Sequence, residues 1–134
     1  MNDLIDWLCE FSFNNNVGFE LKSMDKDMVS FAIPDINMVF ININYHNQNE
    51  IPFQFAHEIG HVLDHDTGLN NFSAPSEYIG EEYQANLQAI HIIMKFCEDN
   101  NIKIDNYINF MNCFSIPKSL INVVELAFLQ NNPL

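Results

Sequence analysis

The stretch His57-Glu58-Ile59-Gly60-His61 constrains the fold of this chain more than any other part of its sequence. Residues four apart on an α-helix lie one turn above each other, so His57 and His61 would present two imidazoles on one face. Paired imidazoles suit Zn²⁺, and a carboxylate at Glu58 can act as a base toward water at such a site. The stretch therefore predicts a helix that carries two metal ligands and a catalytic base.

A catalytic zinc site normally has three protein ligands, and a helix expected over residues 77–98 offers Glu77, Glu81 and Glu82 as the third. Glu81 falls on a stripe of polar residues at helical spacing, which predicts a surface position. Glu82 falls on a second, apolar stripe, where a carboxylate is costly unless it is paired or bound to a metal. Glu82 is therefore the predicted third ligand, and Glu81 and Glu77 are the alternatives.

The order of apolar and polar segments predicts an α+β fold, and the length predicts a single domain over residues 1–134. An N-terminal helix, three strands, the helix with the paired histidines, the glutamate-bearing helix and C-terminal helices are expected in that order. Because the links between the strands are short, we expect a three-stranded antiparallel sheet. The expected boundaries are a helix at 3–13; strands at Gly18–Lys22, Met28–Ile33 and Met38–Ile43; a helix from Pro52 to about His65 or Asp66, stopped by Gly68; a helix at 77–98, N-capped by Ser76; and helices at 104–113 and from Pro117 to Gln130.

Small residues and strand alternation indicate how these elements pack. Gly60 lies in mid-helix, where glycine costs about 1 kcal/mol relative to alanine, so another element is expected to approach closely there. Ala85 and Ala89 lie beside Glu82 and would let its helix lie against the histidine helix. The third strand alternates between an apolar face and a mostly polar face, formed by Val39, Ile41 and Ile43 and by Phe40, Asn42 and Asn44 respectively.

The charge balance narrows the classes of partner. The chain has 18 acidic residues, five Lys and no Arg, for a formal net charge of −13. Such a chain repels nucleic-acid backbones and lacks the bidentate phosphate clamp that arginine provides. We therefore expect no direct binding of nucleic acid, whereas cations and basic proteins would be favoured. The same charge would also serve solubility alone.

Cysteine usage and hydropathy indicate the compartment. The three cysteines are odd in number and have no C-x-x-C spacing, and the N terminus is acidic, unlike a signal peptide. No apolar run approaches membrane-spanning length, so no membrane association is expected. These features predict a cytoplasmic protein. No pattern in the sequence indicates an oligomeric state.

Two blocks of the sequence together resemble the ImmA/IrrE family of small bacterial and phage zinc metallopeptidases. The first block runs from Phe53 to His61, and the second is formed by residues 82–86 (Glu-Tyr-Gln-Ala-Asn) on the later helix. The similarity extends over about residues 28–98. It implies a minimal zincin-like domain of the gluzincin type.

The resemblance also implies roles for individual residues and a substrate. His57, His61 and Glu82 would bind Zn²⁺, and Glu58 would be the catalytic base. Family members typically cleave a helix-turn-helix repressor encoded beside them, which switches on a phage or mobile element. A basic repressor protein is therefore the expected substrate, and a zinc endopeptidase is the expected activity.

Other readings remain open at this point. The chain would also suit a non-catalytic, acidic, phage-type inhibitor that covers a basic nucleic-acid-binding protein, or a protease that acts on another host protein. Asp64 and Asp66 would either orient a ligand imidazole or lie on the surface. His46 and His91 are expected to be exposed. The candidate donors to the oxyanion of the reaction are His65, Tyr78, Tyr83 and His91.

Overall fold

The computed structural model describes residues 2–66 and 75–131, with the side chains of residues 3–65 and 80–131. These residues form five α-helices and a three-stranded sheet, which confirms the predicted α+β class. No helix in this part of the chain is long and apolar enough to cross a bilayer. The elements are α1 (Asn2–Asn14), β1 (Gly18–Lys22), β2 (Phe31–Ile33), β3 (Met38–Asn42), α2 (Ile51–Asp66), α3 (Pro75–Asp99), α4 (Tyr107–Phe114) and α5 (Ile121–Asn131), with short 3-10 turns at Pro34–Ile36, Gln48–Glu50 and Lys118–Leu120.

The sheet is mixed, so the predicted antiparallel meander is wrong. Its strand order is β1-β3-β2: β1 pairs with β3 in parallel, and β2 pairs with β3 antiparallel. The chain between β1 and β2 is long enough to cross β3 and place β2 on its far edge. Only the β2–β3 link, through the turn at Pro34–Ile36, is the predicted kind of hairpin.

Asn42 explains why the second strand is shorter than predicted. Its side-chain amide donates to the backbone oxygens of Asp25 and Met28, and its side-chain oxygen accepts from the backbone N–H of Met24. The backbone N–H of Ser30 donates to the side-chain oxygen of Gln54 on α2. Backbone groups of Met28 and Ser30 therefore bond to side chains, and β2 begins only at Phe31. Asn42 itself is fully buried, although it belongs to the face of β3 that the alternation predicted to be mostly polar.

Helix α2 is the centre of the core, in contact with α1, α3 and the sheet. Its Phe55, Ile59 and Val62 are fully buried, as are Val39 and Ile41 of β3. Burying each such side chain stabilises the fold by about 1.5–3 kcal/mol. The apolar face of α2 is thereby fixed against the core, which holds the opposite face, with both histidines, in a defined orientation.

Helices α2 and α3 approach very closely at Gly60, as the small residues predicted. A Cβ added at Gly60 would lie 2.8 Å from the backbone oxygen of Ala85 and 3.1 Å from the Cβ of Gln88. Ala85 and Ala89 are fully buried in the same contact. A glycine is therefore required where the two helices cross.

Helix boundaries differ from the predictions by a few residues. Helix α3 begins at Pro75, so Ser76 lies inside its first turn instead of forming the N-cap. Helix α4 begins after Asn106, whose side chain accepts from the backbone N–H of Asn109, and α5 begins at Ile121 after a 3-10 turn, not at Pro117. The predicted helix stop at Gly68 lies outside the described residues.

Candidate metal centre

Three side chains from α2 and α3 converge on one point. The Nε2 atoms of His57 and His61 lie 3.1 Å apart, and their rings are nearly perpendicular. The Glu82 carboxylate reaches both rings, with Oε1 3.2 Å from Nε2 of His57 and Oε2 2.8 Å from Nε2 of His61. The structure therefore brings together the three residues that the sequence indicated as ligands.

The helices position these side chains in two ways. His57 and His61 are one turn apart on α2, so their rings lie next to each other on one face. Glu82 lies one turn before Ala85, at the point where α3 crosses closest to Gly60. The close crossing gives a short glutamate side chain enough reach to meet both imidazoles.

The donor set fits a tetrahedral zinc ion. Two imidazole nitrogens and one carboxylate are a ligand combination that catalytic zinc sites use, and they leave one position open. Donors about 2.0–2.1 Å from a tetrahedral zinc lie roughly 3.3 Å from each other. The two Nε2 atoms are 3.1 Å apart, close to that value, and each lies near a different Glu82 oxygen, at 3.2 Å for His57 and 2.8 Å for His61. In the described part of the chain, no other group of three His, Cys, Asp or Glu residues is arranged to hold a metal.

Glu58 lies beside this ligand set and is largely shielded from solvent. Its Oε2 is 4.0 Å from Nε2 of His57, and its side chain is 12% exposed. Burial, and then the negative charge of Glu82, raise the pKa of Glu58 to about 8. A cation on the ligands would oppose this rise, because it favours the charged carboxylate. Glu58 is thus a group that can bind and release a proton near neutral pH beside the ligands.

Glu81 is not the surface residue that its polar stripe predicted. Its side chain is only 13% exposed, against 38% for Glu82, and its Oε1 lies 3.2 Å from Nδ1 of His61. Burial, and then the charges of Glu82 and Asp64, raise its pKa. The prediction from the polar stripe was wrong because adjacent positions such as 81 and 82 are only about 100° apart around the helix axis, so both can face the same neighbouring helix. Both glutamates therefore face α2 across a close contact. The side chain of Glu77, the other alternative ligand, lies outside the described residues.

Asp64 is a buried acid at the contact between α2 and α3, and it does not lie on the surface. It is 2% exposed, and Nε2 of Gln88 on α3 donates to its Oδ1 at 3.3 Å. Burial raises its pKa, while the bond from Gln88 and the nearby His57 lower it. The polar stripe of α3 thus contributes Gln88 as well as Glu81 to the interface with α2.

The other residues that the sequence offered as candidates for the site do not join the three converging side chains in the described part of the chain. Nε2 of His65 lies 3.2 Å from Oδ1 of Asp35, and Nε2 of His91 lies 2.7 Å from the side-chain oxygen of Gln130. Tyr83 is exposed on α3. His91 is therefore less exposed than predicted, since its ring on α3 contacts Gln130 of α5. The side chains of Asp66 and Tyr78 lie outside the described residues.

A cleft of about 340 Å³ opens beside the ligands, and part of its wall comes from an unexpected region. Pro117, Ser119 and Leu120, which precede α5, line it together with His57, Glu58 and Glu82. Nothing in the sequence pattern links this segment to the site, because the contact depends on how the C-terminal helices pack on α3. The other lining residues are Val29, Ser30, Phe53, Gln54 and Asn86.

The chain matches the model of a known protein family. The peptidase family M78, described as the IrrE N-terminal-like domain, matches residues 16–98. That span includes both histidines, Glu58, Glu81 and Glu82, whereas the cleft wall before α5 lies beyond it. No curated protein and no solved structure matches the chain.

Proposed function

Because this chain belongs to the IrrE N-terminal-like peptidase family, we propose that it is a zinc-dependent endopeptidase. The observation that carries the proposal is the convergence of His57, His61 and Glu82 within 3.2 Å of one another, with Glu58 beside them. These donors match the zinc ligands of many hydrolases, and the open cleft gives a peptide access to them.

Each residue of the site has a defined task in this proposal. When bound, Zn²⁺ would supply a Lewis acid that acidifies water and polarises the scissile carbonyl. Glu58 takes the proton from the attacking water and delivers it to the leaving amine. Its partial burial favours this exchange, because a carboxylate whose pKa is raised accepts protons near neutral pH.

The cleft indicates which side chains the substrate presents. Val29, Phe53, Pro117 and Leu120 form apolar parts of its wall, next to the catalytic Glu58. An apolar side chain placed there would lose its contact with water, which favours binding. We therefore expect cleavage at bonds flanked by an apolar residue.

The net charge supports a basic protein as substrate. With a charge of −13, the chain would attract a basic partner over long range and accelerate their encounter. A helix-turn-helix repressor is such a protein, and its cleavage would relieve repression of a phage or mobile element. We propose such a repressor as the substrate.

The proposal is tested by incubating the zinc-loaded protein with the helix-turn-helix protein encoded beside it and following the products by mass spectrometry. Wild type should cleave it, and Glu58→Gln should lose cleavage by a factor of about 10² or more while retaining zinc. Glu98→Gln, an exposed glutamate on α3, is the control and should cleave normally. Cleavage by Glu58→Gln at the wild-type rate would disprove the assigned base.

A further inference from the structure

We propose that Glu81 is a positioning residue that fixes the tautomer and the ring orientation of His61. The inference rests on the proposed zinc site and concerns a residue outside its ligand set. The two ring nitrogens of His61 have different carboxylate partners: Nδ1 lies 3.2 Å from Glu81, and Nε2 lies 2.8 Å from Glu82. One imidazole is therefore held between two glutamates that are adjacent in sequence.

The two carboxylate contacts of His61 compete for the one N–H of a neutral imidazole. Carboxylates only accept hydrogen bonds, so Glu81 favours the hydrogen on Nδ1 and Glu82 favours it on Nε2. A cation held by His57, His61 and Glu82 needs the lone pair of Nε2, which leaves the hydrogen on Nδ1. The Glu81 carboxylate is placed to accept that hydrogen, and it therefore favours the tautomer that binds a metal.

Burial strengthens this contact. The side chains of His61 and Glu81 are 11% and 13% exposed, so water screens their interaction only weakly. A carboxylate that accepts from the distal N–H of a ligand histidine also makes the ligating nitrogen more basic. Glu81 should thus increase metal affinity without touching the metal.

The second histidine has no equivalent support. Nδ1 of His57 is buried and has no hydrogen-bond partner among the residues that the structure describes. Its ring is instead placed by packing near Phe53 and against His61. The alignment of the two ligand rings therefore depends on His61, and through it on Glu81.

The test combines two measurements on the full-length protein. In metal-free protein at about pH 8, where histidine is neutral, ¹⁵N NMR should show a larger fraction of the Nδ1–H tautomer of His61 in wild type than in Glu81→Ala, in which only the Glu82 contact remains and favours a hydrogen on Nε2. Glu81→Gln should keep part of this difference, because its amide oxygen still accepts from Nδ1. Competition with a chelator should show zinc affinity lowered about 10–100-fold in Glu81→Ala and less in Glu81→Gln.

Glu98→Gln removes the same charge from an exposed position of α3 and should match wild type in both measurements. The inference is overturned if the tautomer and the zinc affinity of Glu81→Ala equal those of this control. It is also overturned if Glu81→Ala loses zinc as completely as Glu82→Ala, since Glu81 would then be a ligand itself. Neither measurement requires proteolysis, so a chain that binds zinc as described but cleaves nothing would refute the proposed function alone.

Discussion

The carboxylate of Glu82 on α3 lies 2.8 Å from the ring of His61 on α2. The two residues belong to separate helices, so their contact depends on how closely those helices cross. At the crossing, Gly60 leaves no room for a Cβ beside the backbone of Ala85. The geometry of the candidate site is therefore determined by helix packing as much as by the ligands themselves.

Substituting Gly60 should disturb both stability and the site. In Gly60→Ala the added methyl group meets the Ala85 backbone at 2.8 Å, which forces the helices apart. We expect a loss of about 1–3 kcal/mol in the free energy of unfolding, despite the better helix propensity of alanine. Zinc affinity should fall as well, because Glu82 moves away from both histidines. Urea unfolding and chelator competition measure the two effects.

Gly80 is the matched control on α3. A Cβ added there meets no atom within 4 Å, so Gly80→Ala should stabilise the protein by about 0.5–1 kcal/mol through the helix propensity alone. Equal stability gains in Gly60→Ala and Gly80→Ala would show that the close crossing of α2 and α3 is wrong.

The raised pKa of Glu58 predicts that the metal-free protein becomes less stable toward unfolding as the pH rises. Burial and the charge of Glu82 raise this pKa from 4.5 to about 8, so between these values the folded protein binds a proton that the unfolded chain does not. The contribution of Glu58 to stability is therefore most favourable at low pH and decreases as the pH rises through this interval. Glu58→Gln removes that dependence.

In the presence of a chelator, Glu58→Gln should be more stable than wild type near pH 8, by on the order of 1–3 kcal/mol. The difference should shrink toward about pH 5, where Glu58 of the folded protein is protonated. Urea unfolding across this range gives both curves. If the two curves run parallel, Glu58 does not carry the raised pKa.

The apolar wall of the cleft predicts substrate selectivity. Val29 lines the cleft and is 56% exposed, so Val29→Asp should leave folding nearly unchanged while placing a charge beside the substrate side chain. We expect kcat/KM for a peptide with an apolar residue at the cleaved bond to fall about 10–200-fold. Leu129→Asp, an exposed apolar residue of α5 that does not line the cleft, controls for the added charge. Equal rates for the two variants would mean that the wall near Val29 does not contact substrate.

Local spacing was enough to predict the three candidate ligands, whereas features that depend on long-range contacts could not be predicted from the sequence. His57 and His61 follow from the period of one helix, and Glu82 follows from the apolar stripe of another. The mixed sheet was missed because the link between β1 and β2 crosses β3, a long-range arrangement that no local pattern shows. The side chain of Asn42 bonds to backbone groups of that link. Periodicity assigned Asn42 to a mostly polar face, but it does not show which polar residues find hydrogen-bond partners inside the protein.

The same limit applies to the surroundings of the site. Glu81 has the polar neighbours of a surface residue in sequence, and only the proximity of α2 turns it into a partner of His61. Pro117 and Leu120 reach the cleft through the packing of the C-terminal segment, which no local pattern encodes. Sequence reasoning thus identified the groups that would hold a metal but not the groups that surround them.

The most direct test of this account is a crystal structure of the zinc-loaded protein with anomalous diffraction measured at the zinc edge. The account predicts one anomalous peak about 2.0–2.2 Å from Nε2 of His57, Nε2 of His61 and one carboxylate oxygen of Glu82, with Glu81 bonded to Nδ1 of His61. A peak coordinated by Glu81 instead, or a Glu82 side chain turned into solvent, would contradict it.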